Sequence, residues 1–140
     1  MSSITVASIP RITREALAEK LNSGTPSQEL AIVDVRDSDH IGGNIVTSIW
    51  APSEQLDARV PELVLNLKDR KTVVFHCMLS QQRGPSAALK YARARASKYP
   101  DVYSDQTIYI LEGGFLQWGQ KYGKDSSLTV GFVEDIWDEY

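Results

Sequence analysis

KTVVFHCMLSQQRGPSAA, residues 71–88, decides how the chain is read. Lys71-Thr72-Val73-Val74-Phe75 is a short, β-branched apolar run and predicts a buried strand. Gly84-Pro85-Ser86 and the alanine-rich residues after it predict a helix, from about Pro85 to Tyr99, ended by Pro100. A strand that passes through a loop straight into a helix aims successive backbone N–H groups into the loop, and the helix dipole adds positive potential there. Such a cradle suits a tetrahedral oxyanion. Cys77, the only cysteine of the chain, sits where its sulfur can attack such an anion. Arg83 follows where its planar guanidinium can hold two of the anion's oxygens at once. A helix N-terminus and a nearby arginine also favour thiolate over thiol at a cysteine so placed. A lone cysteine is by default a small buried hydrophobe, but a preceding histidine, the arginine at the sixth following position and the strand–loop–helix setting together point to nucleophilic catalysis.

Working outward, Leu30-Ala31-Ile32-Val33-Asp34-Val35 is apolar on both parities, which predicts a central strand buried on both faces and so a parallel sheet. Thr107-Ile108-Tyr109-Ile110-Leu111 is a further strand, broken by Glu112-Gly113-Gly114. Phe115, Trp118 and Tyr122 then recur at helical spacing. Short strands are expected at Ile4 to Ile9 and near Ser48-Ile49-Trp50. A helix capped by Thr13 should bury Leu17 and Leu21, and a helical region after Pro52 should bury Leu56, Val60, Leu63, Val64 and Leu67. Pro61 fits there only where a new helix begins. Phe132, Val133, Ile136, Trp137 and Tyr140 line one side of a C-terminal docking helix, with Glu134, Asp135, Asp138 and Glu139 on the other. On the helix after the loop, Lys90, Arg93, Arg95 and Lys98 read as a solvated basic face. Strands alternating with helices give an α/β domain with a central, largely parallel sheet flanked by helices, and ligands of such sheets sit at the carboxyl ends of the strands, where Cys77 lies.

At 140 residues the chain suits one domain spanning 1–140. A net charge of −3 gives no global case for nucleic-acid binding, so an anion site must be local. No run is long and apolar enough for a membrane span, no basic-plus-apolar leader opens the chain, and one cysteine allows no internal disulfide. The expectation is an intracellular protein, cytoplasmic and/or nuclear, that binds neither membrane nor nucleic acid and uses no metal. The general acid is harder to find. No carboxylate lies between Cys77 and Arg83, which leaves Asp37, Asp39 and Glu112 on neighbouring loops as candidates; each reads first as a solvated loop carboxylate or a partner for Arg36. His76 reads first as a structural histidine hydrogen-bonded beneath the loop and second as a proton donor, and His40 as a loop residue.

Three separated segments resemble one family. IVDVRDSDHIGGNIVTSIWAPS (32–53), with its Asp-x-Arg at a strand end, HCMLSQQRGPSAA (76–88) and IYILEGGFLQW (108–118) resemble the rhodanese-like superfamily. Within it they are similar to the M-phase inducer (cell-division-cycle) dual-specificity phosphatases and the Acr-type eukaryotic arsenate reductases. The resemblance runs from about residue 10 to 122. It implies a rhodanese-like fold, Cys77 as a nucleophile that forms a phosphocysteine, Arg83 as the oxyanion clamp, and the backbone N–H groups of Met78, Leu79, Ser80, Gln81, Gln82 and Arg83 as the cradle. Cys77 through Arg83 is seven residues, the length of the phosphatase and arsenate-reductase branch; the sulfurtransferase branch has a shorter loop. Cell-cycle members carry acidic residues where this chain has Met78 and Gln82. The expected activity is a protein tyrosine or dual-specificity phosphatase acting on a phosphoprotein without a cofactor. The rival is an arsenate reductase, taking a small oxyanion and needing glutathione or a glutaredoxin-type protein. A non-catalytic phosphate-binding module and a thiosulfate-type sulfurtransferase remain further alternatives.

Overall fold

A computed structural model describes residues 4–26, 28–100 and 105–138. Its core is a five-stranded, wholly parallel sheet built from β1 (Arg11–Ile12), β2 (Leu30–Asp34), β4 (Ile49–Trp50), β5 (Thr72–His76) and β6 (Thr107–Leu111), in the order β1-β6-β5-β2-β4. As the apolar run on both parities requires, every residue of β2 is buried. Ala31 and Val33 join Val73 and Phe75 of β5 against α2 (Leu56–Leu67) and α3 (Arg83–Lys98). Leu30 and Ile32 join Val74 on the opposite face, against α1 (Arg14–Asn22) and α4 (Gly114–Tyr122). Alternate residues of each strand therefore feed two separate cores. The register pairs Asp34 with both His76 and Trp50, so β2, β4 and β5 end at one level. The loops that follow β2 and β5 thus meet at one edge of the sheet.

Thr13 caps α1 as expected, accepting a hydrogen bond from the Ala16 N–H at 3.1 Å. Elsewhere the structure departs from the sequence expectation. Ile4 to Ile9 is no strand: the Ser8 hydroxyl bonds Thr5 main-chain groups and folds Val6–Ser8 into a 3-10 turn. The edge strand begins after Pro10. Pro61 lies inside a continuous α2, where the carbonyl it leaves without a helical partner belongs to Asp57, an exposed residue. Arg95, expected in solvent, is only 7% exposed, whereas Lys90 and Arg93 face outward. The C-terminal docking helix shrinks to α5 (Glu134–Trp137). Ahead of it β7 (Thr129–Val130) pairs antiparallel with β3 (Asn44–Ile45), and Gly131, at φ +68°, turns the chain between β7 and α5. Glu139 and Tyr140 lie outside the described residues. No helix among the described residues is long and apolar enough to cross a membrane.

Candidate active site

The residues that decide the site come from the carboxyl ends of three neighbouring strands. After β5, the main chain carries His76 and Cys77 into a loop that enters α3 at Arg83. Cys77 is 3% exposed, and its Sγ accepts hydrogen bonds from the N–H groups of Ser80 and Gly84, each at 3.3 Å. These two contacts fix the sulfur at the base of the loop. Ser80 takes a left-handed conformation, φ +56°, to place its N–H there. Gly84 packs closely on the strand end: a β-carbon there would stand 3.3 Å from the Cys77 nitrogen and the His76 Cα, tighter than ordinary packing.

Three carbonyls of the loop are tied down by the surrounding elements. Cys77 O accepts from Phe115 N at 2.9 Å and lies 3.0 Å from His76 Nδ1; Met78 O accepts from Leu116 N at 3.0 Å; Ser80 O accepts from Arg11 Nη1 at 3.2 Å. The N–H groups of Met78, Leu79, Gln81 and Gln82 have no hydrogen-bond partner among the described residues. With these three carbonyls held and these donors unspent, the loop offers N–H groups to an anion. It floors an open depression of about 480 Å³ lined by Asp39, Cys77, Met78, Leu79, Gln81, Gln82 and Arg83.

Of the acid candidates, two reach Arg83 and one does not. Asp39 grips the guanidinium end-on, with Nη1 to Oδ1 at 2.8 Å and Nη2 to Oδ2 at 2.5 Å, and Asp37 Oδ2 accepts from Nη1 at 3.2 Å. The Arg83 contact holds the Asp39 carboxyl down at about 2 and raises the pKa of Arg83. Burial works against charge on Asp37, but bonds from Ser53, the Glu54 N–H and Arg83 outweigh it and lower its pKa as well. Both carboxylates are therefore ionised near neutral pH and carry no proton to give. Glu112 instead pairs with Arg11 at 3.0 Å, beside the loop but outside the depression. His76 is fully buried, and burial lowers its pKa, so the ring is neutral and structural beneath the loop.

The sequence reading missed how much of the site stands on Arg36. Fully buried, it forks onto Asp34, with Nε to Oδ1 at 3.0 Å and Nη2 to Oδ2 at 2.7 Å, and lies 4.2 Å over the Phe115 ring. Its remaining hydrogens hold the carbonyls of Ile41 and Gly43 at 3.3 and 2.8 Å. A buried arginine with a carboxylate and two carbonyls is satisfied rather than stranded, and it fixes the loop that bears Asp37 and Asp39. His40, read as a loop residue, stacks on Trp50 at 4.4 Å with Nε2 3.5 Å from Asp34. Among the described residues no group of three or more His, Cys, Asp or Glu side chains is placed to hold a metal ion.

The family model for a Rhodanese-like domain matches residues 13–121. The CDC25-like phosphatase YCH1 of Saccharomyces cerevisiae is 37% identical over 124 residues, covering 81% of each chain. Arsenate reductase 2.2 of Oryza sativa subsp. japonica is 40% identical over 92 residues, 64% of this chain and 68% of that one. Among solved structures, Ygr203w, described as a yeast protein tyrosine phosphatase of the Rhodanese family, superposes with a TM-score of 0.82 at 33% identity, covering 96% of this chain and 99% of the other.

Proposed function

The chain belongs to the rhodanese-like domain family, and from that premise we propose that it is a cysteine-dependent phosphatase of the protein tyrosine or dual-specificity type. One observation carries this reading: the Cys77 sulfur, held by the N–H groups of Ser80 and Gly84, lies in the wall of the same open depression as Arg83. A phosphoryl group seated on the loop would have its oxygens held by N–H groups and by Arg83 while Cys77 attacks phosphorus. The S–P bond forms, the ester P–O bond breaks, and the leaving oxygen takes up a proton. Water then attacks the phosphocysteine, releasing phosphate and regenerating the thiolate. The catalytic power comes from donors already aimed at the equatorial oxygens, where charge gathers in the transition state. With Asp37 and Asp39 both ionised on Arg83, leaving-group protonation falls to solvent or to a proton on the substrate itself. The shallow, open depression admits a side chain displayed on a protein. We assign the reaction to the cell interior and to no metal or organic cofactor.

Arsenate reduction is the second reading, favoured by the similarity to the rice arsenate reductase. Attack of Cys77 on arsenate would expel hydroxide. Two external thiols would then supply the two electrons that reduce arsenic and would leave joined as a disulfide, because the chain has no second cysteine to contribute. Steady-state turnover of an aryl phosphate, measured beside glutathione-dependent arsenate reduction, separates the two. Efficient phosphate-ester turnover without added thiol supports the phosphatase; arsenate reduction alone, dependent on thiol, replaces it. Anion binding with neither turnover reduces the site to a binding module, and thiosulfate-to-cyanide transfer alone makes it a sulfurtransferase.

A further inference from the structure

Arg83 carries five N–H donors in a rigid fork. Nη1 is spent on Asp39 and Asp37, and one Nη2 hydrogen on Asp39. Nε and the other Nη2 hydrogen have no partner among the described residues, so one two-pronged edge of the clamp is left over. Asp39 is itself fixed: its Oδ1 accepts the Asp37 N–H at 2.9 Å, and Arg36 holds the carbonyls of Ile41 and Gly43 on the same loop. Asp37 is anchored in turn by the Ser53 hydroxyl at 2.5 Å and the Glu54 N–H at 3.0 Å. The carboxylate pair is therefore a built fixture to which a long, mobile side chain is tied.

We propose that Asp39, backed by Asp37, is a positioning residue: it grips the far end of the Arg83 guanidinium and presents the free Nε–Nη2 edge to the substrate oxyanion. This rests on the reading of the loop as an oxyanion site. It replaces an acid role for Asp39 with an orienting one, and it gives the chain a means of ordering its clamp although Met78 and Gln82 bring no carboxylate to the loop. The opposite arrangement, in which Asp39 occupies the clamp and the oxyanion must displace it, requires this anchored, doubly bonded ion pair to come apart at every turnover. The free edge makes that separation unnecessary.

The test is calorimetric titration of inorganic phosphate into the wild type, Asp39→Asn, Arg83→Lys and the double variant. Losing the charge-assisted grip weakens phosphate about tenfold in Asp39→Asn. The same change made in the Arg83→Lys background alters binding by less than about twofold, because the side chain it orients is already gone. Equal or tighter binding by Asp39→Asn overturns the proposal in favour of competition for the clamp, and an equal loss in both backgrounds overturns it by placing the effect elsewhere. A second readout needs no anion. The Arg83 Nε–H, identified by its disappearance in Arg83→Lys, gives a rigid-site heteronuclear NOE in the wild type and a reduced one in Asp39→Asn; an unchanged value contradicts the brace. Failure of the wild type to bind phosphate overturns the oxyanion reading instead, while the NMR comparison still decides whether Asp39 orders Arg83.

Discussion

Gly114 lies so close to the Met78 carbonyl that a β-carbon on it would overlap that group and the Cys77 carbonyl as well. The contact exists because the first turn of α4 delivers the Phe115 and Leu116 N–H groups to those two carbonyls, which draws the helix backbone onto the loop. Gly113 and Gly114 both have positive φ, at +78° and +60°. The glycine pair is thus the point where the last parallel strand turns and presses on the cysteine loop.

Gly114→Ala should accordingly lose stability by about 2–4 kcal/mol, combining left-handed strain with backbone overlap, and should lower aryl-phosphate turnover with it. Gly24→Ala is the control, because Gly24 has φ +79° but open space around its Cα. It should lose about 1 kcal/mol and no activity. Urea melts of the two variants compare them directly, and equal losses would mean that the contact with the loop does not matter.

His76 makes stability pH-dependent. Buried and neutral in the fold, it has a lowered pKa, whereas in the unfolded chain it binds a proton below about pH 6.5. Its contribution is therefore present in full above about 6.5 and is lost as pH falls from there toward the folded-state pKa, since the unfolded state binds more protons in that window. Urea midpoints of the wild type should fall between about pH 7.5 and about pH 5.5, and His76→Asn should flatten the profile. Parallel profiles would assign the pH dependence to other groups.

Much of this architecture is legible in the amino-acid sequence. The two-sided apolar run of β2, the Thr13 cap, the seven-residue loop and the Glu112-Gly113-Gly114 break all act over short sequence distances, and each falls where local chemistry puts it. The parts that escape depend on distant partners. β3 and β7 are two residues each, too short to show a period, and pair across the chain. The helical spacing of Phe132, Val133, Ile136 and Trp137 reads as a long helix, but among the described residues only Glu134–Trp137 of this segment is helical. The reason is that Gly131 turns the chain and the Val133 N–H goes to Gly42 O, which lays the segment as a strap against the turn at Gly42. Arg95 turns inward without a local signal. In the site itself, Cys77 and Arg83 are visible as a motif, whereas the pairing of Asp37 and Asp39 with Arg83 depends on β2 and β5 ending side by side.

The strap also reaches the site. Trp137 donates its Nε1 hydrogen to Gly42 O at 2.9 Å, packs 5.4 Å from the Phe115 ring, and leaves no room for a side chain on Gly42. It lies beyond the residues matched by the family model, yet it holds the turn that follows Asp39. Trp137→Ala should cost about 1–3 kcal/mol through lost aromatic packing and the lost hydrogen bond, and should lower kcat/KM for an aryl phosphate severalfold at temperatures where the variant is still folded. Trp137→Phe, which keeps a ring but not the N–H, should fall between. Full activity in the folded alanine variant would detach the strap from catalysis.

The proposed chemistry stands on Cys77 forming a covalent bond to the transferred group. The most direct measurement is acid quench of the enzyme during aryl-phosphate turnover, followed by intact-protein and peptide mass spectrometry, with Cys77→Ser alongside. The wild type should carry one phosphoryl group on the peptide containing Cys77 and release the aryl alcohol in a burst, while Cys77→Ser should show neither and lose about ten-thousandfold in turnover or more. Undiminished turnover in Cys77→Ser, or turnover by the wild type with the phosphoryl group found on another residue, would contradict the mechanism.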